Sequence, residues 1–292
     1  MVRRVMALLV AGIALVAASA RAASEQALLA PTVYATHDLP SNAITAFTVS
    51  CPAGYVAASA GVSTPAAGTT VLAVAPVGAG AYRFRIGNPV RNGDQRLTVA
   101  VACRKVPTAG KPTVALKLKR LKTRYLVVPP RKAVSATLSC PKGTLPAAAG
   151  VDVDPSRRTA VNAYRGSPGV GVRRQSTTLQ RVSFSLQNAG ARAKRVALYG
   201  GCLTLTREAA ARRERLHVRV TTYRVLLHPG PQVVTRRCPA GWVSLAAGYA
   251  LRVPSTSVAG AAAVGAAGRW SLVSEAGQAT ADVQLACARV AP

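Results

Sequence analysis

Histidine is scarce in this chain, with three among 292 residues, and only nine carboxylates accompany them, so the usual material for acid–base chemistry is thin. His37, His217 and His228 lie beside or within the strands that join the repeats described below, and none has a sequence neighbour suited to orient it for proton transfer. The nearest carboxylate pair, Asp152 and Asp154, offers too few oxygens for calcium. With Pro155, Arg157 and Arg158 following, it reads as a locally neutralised turn. The chain has no Gly-x-Ser-x-Gly elbow, no Gly-x-x-x-x-Gly-Lys phosphate loop and no Cys-x-x-Cys zinc pair. These absences lead us to expect no catalytic residue, no metal and no cofactor, and a protein that is not an enzyme.

Aromatic residues make up 4% of the chain, and much of the apolar half is alanine and valine. A core built from such small side chains is thin and depends on covalent staples. Long apolar runs are equally lacking. The one candidate, Val5 to Ala18, is preceded by Arg3 and Arg4 and followed by small residues ending at Ala22. Its 14 residues are short for a membrane-spanning helix and match the apolar stretch of a signal peptide, with cleavage after Ala22 or Ala20. An uncleaved anchor is the competing reading. The expected location is secreted or cell-envelope-associated.

What is present is repetition. Three segments begin Cys-Pro-x-Gly and reach a second glycine seven residues after the first: Cys51 to Gly54 and Gly61, Cys140 to Gly143 and Gly150, Cys238 to Gly241 and Gly248. A small-residue run fills each interval. Each unit then closes on a cysteine within an alternating strand, at Cys103, Cys202 and Cys287, and each is preceded by a tyrosine-bearing strand, at Tyr34, Tyr125 and Tyr223. Between the cysteines, runs such as Tyr82-Arg83-Phe84-Arg85-Ile86 and Val182-Ser183-Phe184-Ser185-Leu186 alternate with the period of a strand.

Two cysteines per repeat, an even total and an expected oxidising compartment favour disulfides over a metal site. If each repeat folds alone, the pairs are Cys51 with Cys103, Cys140 with Cys202, and Cys238 with Cys287. The fold expected is all-β, with tandem small antiparallel β-sandwiches of the Ig-like or jelly-roll-like kind, each with an internal disulfide. The expected divisions are a signal peptide at 1–22 and repeats at 23–110, 111–228 and 229–292. The third repeat's first strand falls at 216–228, and a short linker helix is expected near 207–215.

Charge is distributed unevenly. Without residues 1–22 the chain holds 35 basic and 9 acidic side chains, and residues 111–228 account for 24 and 4 of them. In Leu116 to Tyr125 the alternation puts Lys117 and Lys119 on a solvent face. It slips at Arg120, where a bulge or strand end lets Arg120, Lys122 and Arg124 join the same surface. Arg157, Arg158, Arg173 and Arg174 complete the candidate anion-binding set. Such a field attracts polyanions. Arginine and alanine enrichment from GC-rich coding produces a similar composition without any function, and positive charge also protects strand edges.

The Cys-Pro-x-Gly opening, the small-residue run to glycine and the closing alternating strand resemble exported repeat proteins of GC-rich actinobacteria. The resemblance implies a secreted or envelope-associated disulfide-bearing β domain and carries no known activity. Leu145-Pro146 in the second repeat and Arg236-Arg237 in the third depart from the shared pattern, so the three units need not have equal roles. The first expectation is a non-enzymatic binding module for an anionic polymer, whether wall polymer, polysaccharide or nucleic acid. A structural or self-assembling protein with incidental charge is the alternative, and a hydrolase built on unfamiliar residues comes third.

Overall fold

A computed structural model describes residues 32–64, 69–89, 93–105, 114–155, 170–207, 215–253, 256–275 and 277–291. The expected signal peptide lies outside the described residues, as do Arg157 and Arg158.

The described chain is built from strands paired antiparallel. The first unit contains β1 (Thr32–Leu39), β2 (Ala43–Ser50), β3 (Tyr55–Thr64), β4 (Thr70–Val77), β5 (Ala81–Asn88) and β6 (Gln95–Lys105). They contribute to two sheets, the three-stranded β1-β6-β3 and the β2-β5-β4 part of a seven-stranded sheet shared with the next unit. The second unit contains β7 (Val114–Arg120), β8 (Arg124–Val128), β9 (Ala133–Ser139), β10 (Leu145–Val153), β11 (Val170–Thr177), β12 (Arg181–Asn188) and β13 (Lys194–Arg207). Here β7 and β8 both pair with β13, so the slip at Arg120 is a strand end. The third unit contains β14 (Arg215–Leu227), β15 (Gly230–Arg237), β16 (Val243–Leu251), β17 (Thr256–Val264), β18 (Ala267–Ser274) and β19 (Ala279–Ala291). β14 pairs with β19 along its whole length, so it belongs to the third unit. This is the strand expected at 216–228 for the third repeat. The expected linker helix falls on 208–214, outside the described residues, and its two ends, Arg207 and Arg215, are strand.

Alternation explains each sandwich. Tyr82, Phe84 and Ile86 of β5 point inward against Leu97, Val99 and Val101 of β6, all fully buried. Val182, Phe184 and Leu186 do the same against Val196 and Leu198 in the second unit. Trp270 and Leu272 pack on Val283 and Leu285 in the third. Each disulfide joins the two sheets of its own sandwich, Cys51–Cys103, Cys140–Cys202 and Cys238–Cys287, linking the residue directly after β2, β9 or β15 to the last strand of the unit.

The Cys-Pro-x-Gly signature is a turn in all three units. The residue after the first glycine donates its N–H to the proline carbonyl: Tyr55 to Pro52 at 3.1 Å, Thr144 to Pro141 at 3.1 Å and Trp242 to Pro239 at 3.0 Å. The glycine takes φ of +79°, +80° and +72° in turn, the left-handed third position of a type II turn.

The second glycine serves a different purpose, because the three sandwiches close on one another. β4 of the first unit pairs with β10 of the second, Val74 opposite Val151, and β11 of the second pairs with β16 of the third, Gln175 opposite Tyr249. β17 of the third unit packs along β3 of the first. With β7 and β8, which share β13 as partner, counted as two halves of one first strand, the fourth strand of one unit meets the third strand of the next in every seam, giving a quasi-threefold ring. Gly150 and Gly248 lie at their seams against the carbonyl oxygens of Val74 and Gln175, and Gly61 lies against that of Ala261. A Cβ on Gly248 would sit 2.7 Å from the Gln175 oxygen, and at the other two glycines the overlap is worse. Small side chains ahead of these glycines let the three strands converge: Ala58, Ala147 and Val243, one from each unit, share a buried cluster.

Candidate functional site

The described part of the molecule offers three places where polar chemistry is concentrated. The first is the seam between units one and two. Arg83 and Arg85 project from β5, opposite in direction to the core residues Tyr82 and Phe84. Asp152 of β10, fully buried, accepts from Arg83 Nη2 at 2.8 Å and lies 3.4 Å from Arg85 Nη2. Arg85 also donates to the Val153 and Asp154 carbonyls, at 2.5 and 3.2 Å. Burial lowers the Arg85 pKa and the nearby Asp152 carboxylate opposes that shift. Asp152 thus meets arginines from another repeat, while Arg157 and Arg158, on which the locally neutralised turn read from the sequence depends, lie outside the described residues. The cluster is closed and structural.

The second place is the ring's interior. A cavity of about 20 Å³ lies among Ala58, Ser59, Ala147, Ala148, Ala246 and Ala261. A volume near one probe sphere suits a single water-sized group and no larger ligand. Nearby, Arg104 of β6 is buried and donates to the carbonyls of Ser244, at 2.6 Å, and Cys103, at 3.0 Å. Desolvation pushes its pKa down to about 10.

The third place is open. The six strands β14-β19-β16-β11-β12-β9 form one sheet across units two and three. Its outer face carries a groove of about 650 Å³. On one side the hydroxyls of Ser135 and Thr137 from β9 stand in register opposite Ser185 and Ser183 from β12, with the Thr137 and Ser183 oxygens 3.3 Å apart. On the other side are Arg174 of β11 and Arg252 beyond β16. Arg174 anchors its Nε on Ser176 Oγ at 2.9 Å, and its two terminal nitrogens make no hydrogen bond to a described residue. Arg252 donates through Nε and Nη2 to Asp282 Oδ2, at 2.9 and 2.6 Å, and Arg224 lies 3.6 Å from Asp282 Oδ1. Arg173, at a bulge in β11, donates to the Val253 carbonyl, and burial lowers its pKa.

The closed cluster and the open groove occupy matching positions on successive sheets. Ser183 and Ser185 stand where the first unit has Arg83 and Arg85, and Ala250 stands where the second has Asp152. Three small side chains replacing three large charged ones leave the space.

Of the nine expected anion-binding residues, the structure brings some together and separates others. Lys117, Lys119, Lys122 and Arg124 are exposed along β7 and β8 and take part in no ion pair with a described residue. Arg120 donates to the Pro76 carbonyl of the first unit at 3.1 Å, so it helps hold a seam. Arg173 and Arg174 lie on the other sheet, at the groove. Arg124 joins the two regions, donating to the carbonyl of Thr137 at 3.3 Å beside the groove's hydroxyl side. Other arginines cover aromatic rings, with Arg195 4.7 Å above Tyr125 and Arg289 5.0 Å from Trp242.

Sequence reasoning missed Ser135, Thr137, Arg252 and Asp282 as lining residues. Ser183 and Ser185 had a usable signal in the contrast between Val182-Ser183-Phe184-Ser185-Leu186 and its counterpart Tyr82-Arg83-Phe84-Arg85-Ile86. His37 stacks on Phe47 at 3.7 Å between ring centroids, and burial lowers its pKa. Among the described residues no three histidine, cysteine or carboxylate side chains are grouped for a metal, and no helix is long and apolar enough to cross a membrane.

No family model matches the chain, and no curated protein matches it in sequence. A solved protein of an archaeal virus, described as a triple jelly roll fold with turret assembly, aligns over 90% of this chain and 84% of its own, at 9% identity and a TM-score of 0.22. The structure of Sulfolobus Turreted Icosahedral Virus aligns over the same shares at 10% identity and a TM-score of 0.20. Superposition this loose carries no argument about function.

Proposed function

We propose that this protein is an exported, non-enzymatic binding module for anionic polymers, acting through the basic surface of its middle unit. The observation that carries the proposal is the contrast in how cations are used. Arg83, Arg85, Arg96, Arg224 and Arg252 each face a carboxylate, whereas Lys117, Lys119, Lys122 and Arg124 are exposed and have none among the described residues. An uncompensated row of this kind attracts polyanions and responds steeply to salt. Three disulfides suit an oxidising location, in keeping with the expected export.

The test is retention of the oxidised protein on an immobilised polyphosphate column across a salt gradient, beside a variant carrying Lys117→Gln, Lys119→Gln, Lys122→Gln and Arg124→Gln. Deleting the middle unit is unsuitable, because that would break two of the three seams. Early elution of the variant and late elution of the parent is the expected result. Equal elution would reject the reading. Self-assembly is the second reading, favoured by the exposed apolar side chains Tyr34, Val127, Leu226 and Val233, each more than half accessible. Concentration-dependent sedimentation without polymer retention would favour it.

A further inference from the structure

The groove on the second outer sheet face has a lining that selects among polyanions. Its volume of about 650 Å³ lies within the range of small-ligand sites. Across β9 and β12, four hydroxyls form a two-by-two grid: Ser135 opposite Ser185, and Thr137 opposite Ser183. Sheet geometry sets that grid at roughly 4.8 Å across strands and about 6.8 Å along them. Each hydroxyl both donates and accepts, so the grid complements a ligand bearing several hydroxyls of its own. Facing it, Arg174 is exposed and held by Ser176 through Nε alone, which leaves the two terminal nitrogens directed as a fork, the arrangement that receives a carboxylate or phosphate through two bonds. Asp282 is already compensated by Arg252 and Arg224, so the groove as a whole stays positive.

These features discriminate between ligand classes. An apolar ligand would cover the hydroxyls and the guanidinium without satisfying them. A bare phosphate chain would accept from Arg174 and from the hydroxyls but offers the grid no donor in return. Single-stranded nucleic acid stacks bases on aromatic faces, and the aromatic ring at this groove, Phe184, is buried beneath the strand with 1% of its surface accessible. A sugar chain with a carboxylate on its units uses both halves.

We infer that this groove binds a segment of an acidic saccharide, its carboxylate on Arg174 and its hydroxyls on Ser135, Thr137, Ser183 and Ser185. The inference rests on the anionic-polymer reading above and names the site and the ligand class within it. The basic row at Lys117 to Arg124, joined to the groove through Arg124 and Thr137, carries the remainder of a longer chain by charge alone.

The matching position in the first unit supplies the test. The double substitution Ser183→Arg/Ser185→Arg fills the groove as Arg83 and Arg85 fill theirs, while raising the positive charge. Calorimetric titration with a defined galacturonate oligomer should give binding to the parent protein that falls at least tenfold in this variant. Retention on polyphosphate should stay the same or increase. Ser183→Ala/Ser185→Ala, which leaves shape and charge nearly unchanged, should also weaken oligomer binding, by threefold or more. Undiminished or tighter oligomer binding by the arginine variant would overturn the inference, because charge alone would then explain attraction. If the parent is retained by polyphosphate but does not bind the oligomer, the groove assignment falls and the general reading stands. If it engages neither, the general reading falls and the groove assignment falls with it. Oligomer binding that is sensitive to Ser183 and Ser185, with polyphosphate retention insensitive to the lysine row, would keep the groove and remove the row.

Discussion

Gly150 of the second unit lies against the carbonyl oxygen of Val74 in the first, too close for any side chain. Replacing Gly150 with alanine should force the β4–β10 seam apart. Overpacking of this kind costs roughly 1–3 kcal/mol, and in a protein of this size the melting temperature should fall by about 2–12 °C. Gly61→Ala and Gly248→Ala should behave alike, and thermal melts followed by circular dichroism would show it. Wild-type melting by all three variants would mean that the units do not close on one another in solution.

Each disulfide closes a loop of about 50 or 60 residues between the two sheets of a thin sandwich. In the chain-entropy account such a staple is worth about 4 kcal/mol. Cys140→Ser/Cys202→Ser should therefore lower the denaturant midpoint strongly, and peptide mapping without reductant should recover only pairs from within a unit in the parent protein.

Asp152 stands between Arg83 and Arg85 with no exposure of its own. Asp152→Ala leaves two inward-facing guanidinium groups short of an acceptor, and removing one partner of a buried ion cluster costs about 3–5 kcal/mol. A double-mutant cycle with Arg85→Met, read by urea unfolding, should recover part of that loss. Simple additivity of the two substitutions would argue against the contact.

Tyr82 and Tyr249 are buried, and desolvation raises both hydroxyl pKa values well above the ordinary tyrosine value, with Arg120 and Arg173 respectively opposing. A folded-state pKa above the unfolded value gives stability that is complete below about pH 10 and is lost as pH rises further. Arg104 acts in the opposite sense, since its lowered pKa makes the folded form release a proton first. Burial lowers the pKa values of Arg85, Arg120 and Arg173 in the same sense as Arg104, so the tyrosines are read by their own ionisation. In absorbance titration Tyr82 and Tyr249 should remain silent until the protein unfolds. Their ionisation near pH 10 in the folded state would contradict the packing around them.

The strands, the three units and the cysteine pairing were legible because they depend on local alternation and on spacing repeated three times. The same repetition displayed Gly61, Gly150 and Gly248, yet a sequence cannot say that a glycine faces a strand some 75 residues earlier or 200 later. Asp152 illustrates the limit: its neighbours in sequence pointed to Arg157 and Arg158, and nothing local pointed to Arg83 and Arg85, 69 and 67 residues upstream. The groove was hidden for another reason. It arises from a difference between units, Ser183 and Ser185 against Arg83 and Arg85, and a search for shared motifs passes over such differences. Charge pointed to Lys117, Lys119, Lys122 and Arg124, which are exposed, but could not separate them from Arg120, which holds a seam.

The ring closes only when β17 reaches back to β3, the last seam to become available as the chain is made from its first residue onward. Until then the third strand of the first unit is uncovered at one end of the growing protein, and the fourth strand of the newest unit is uncovered at the other. These two edges are complementary, because every seam joins the same pair of strands. A chain shortened by one unit would present both edges permanently, and head-to-tail contacts that fail to close on themselves continue from molecule to molecule as a fibre.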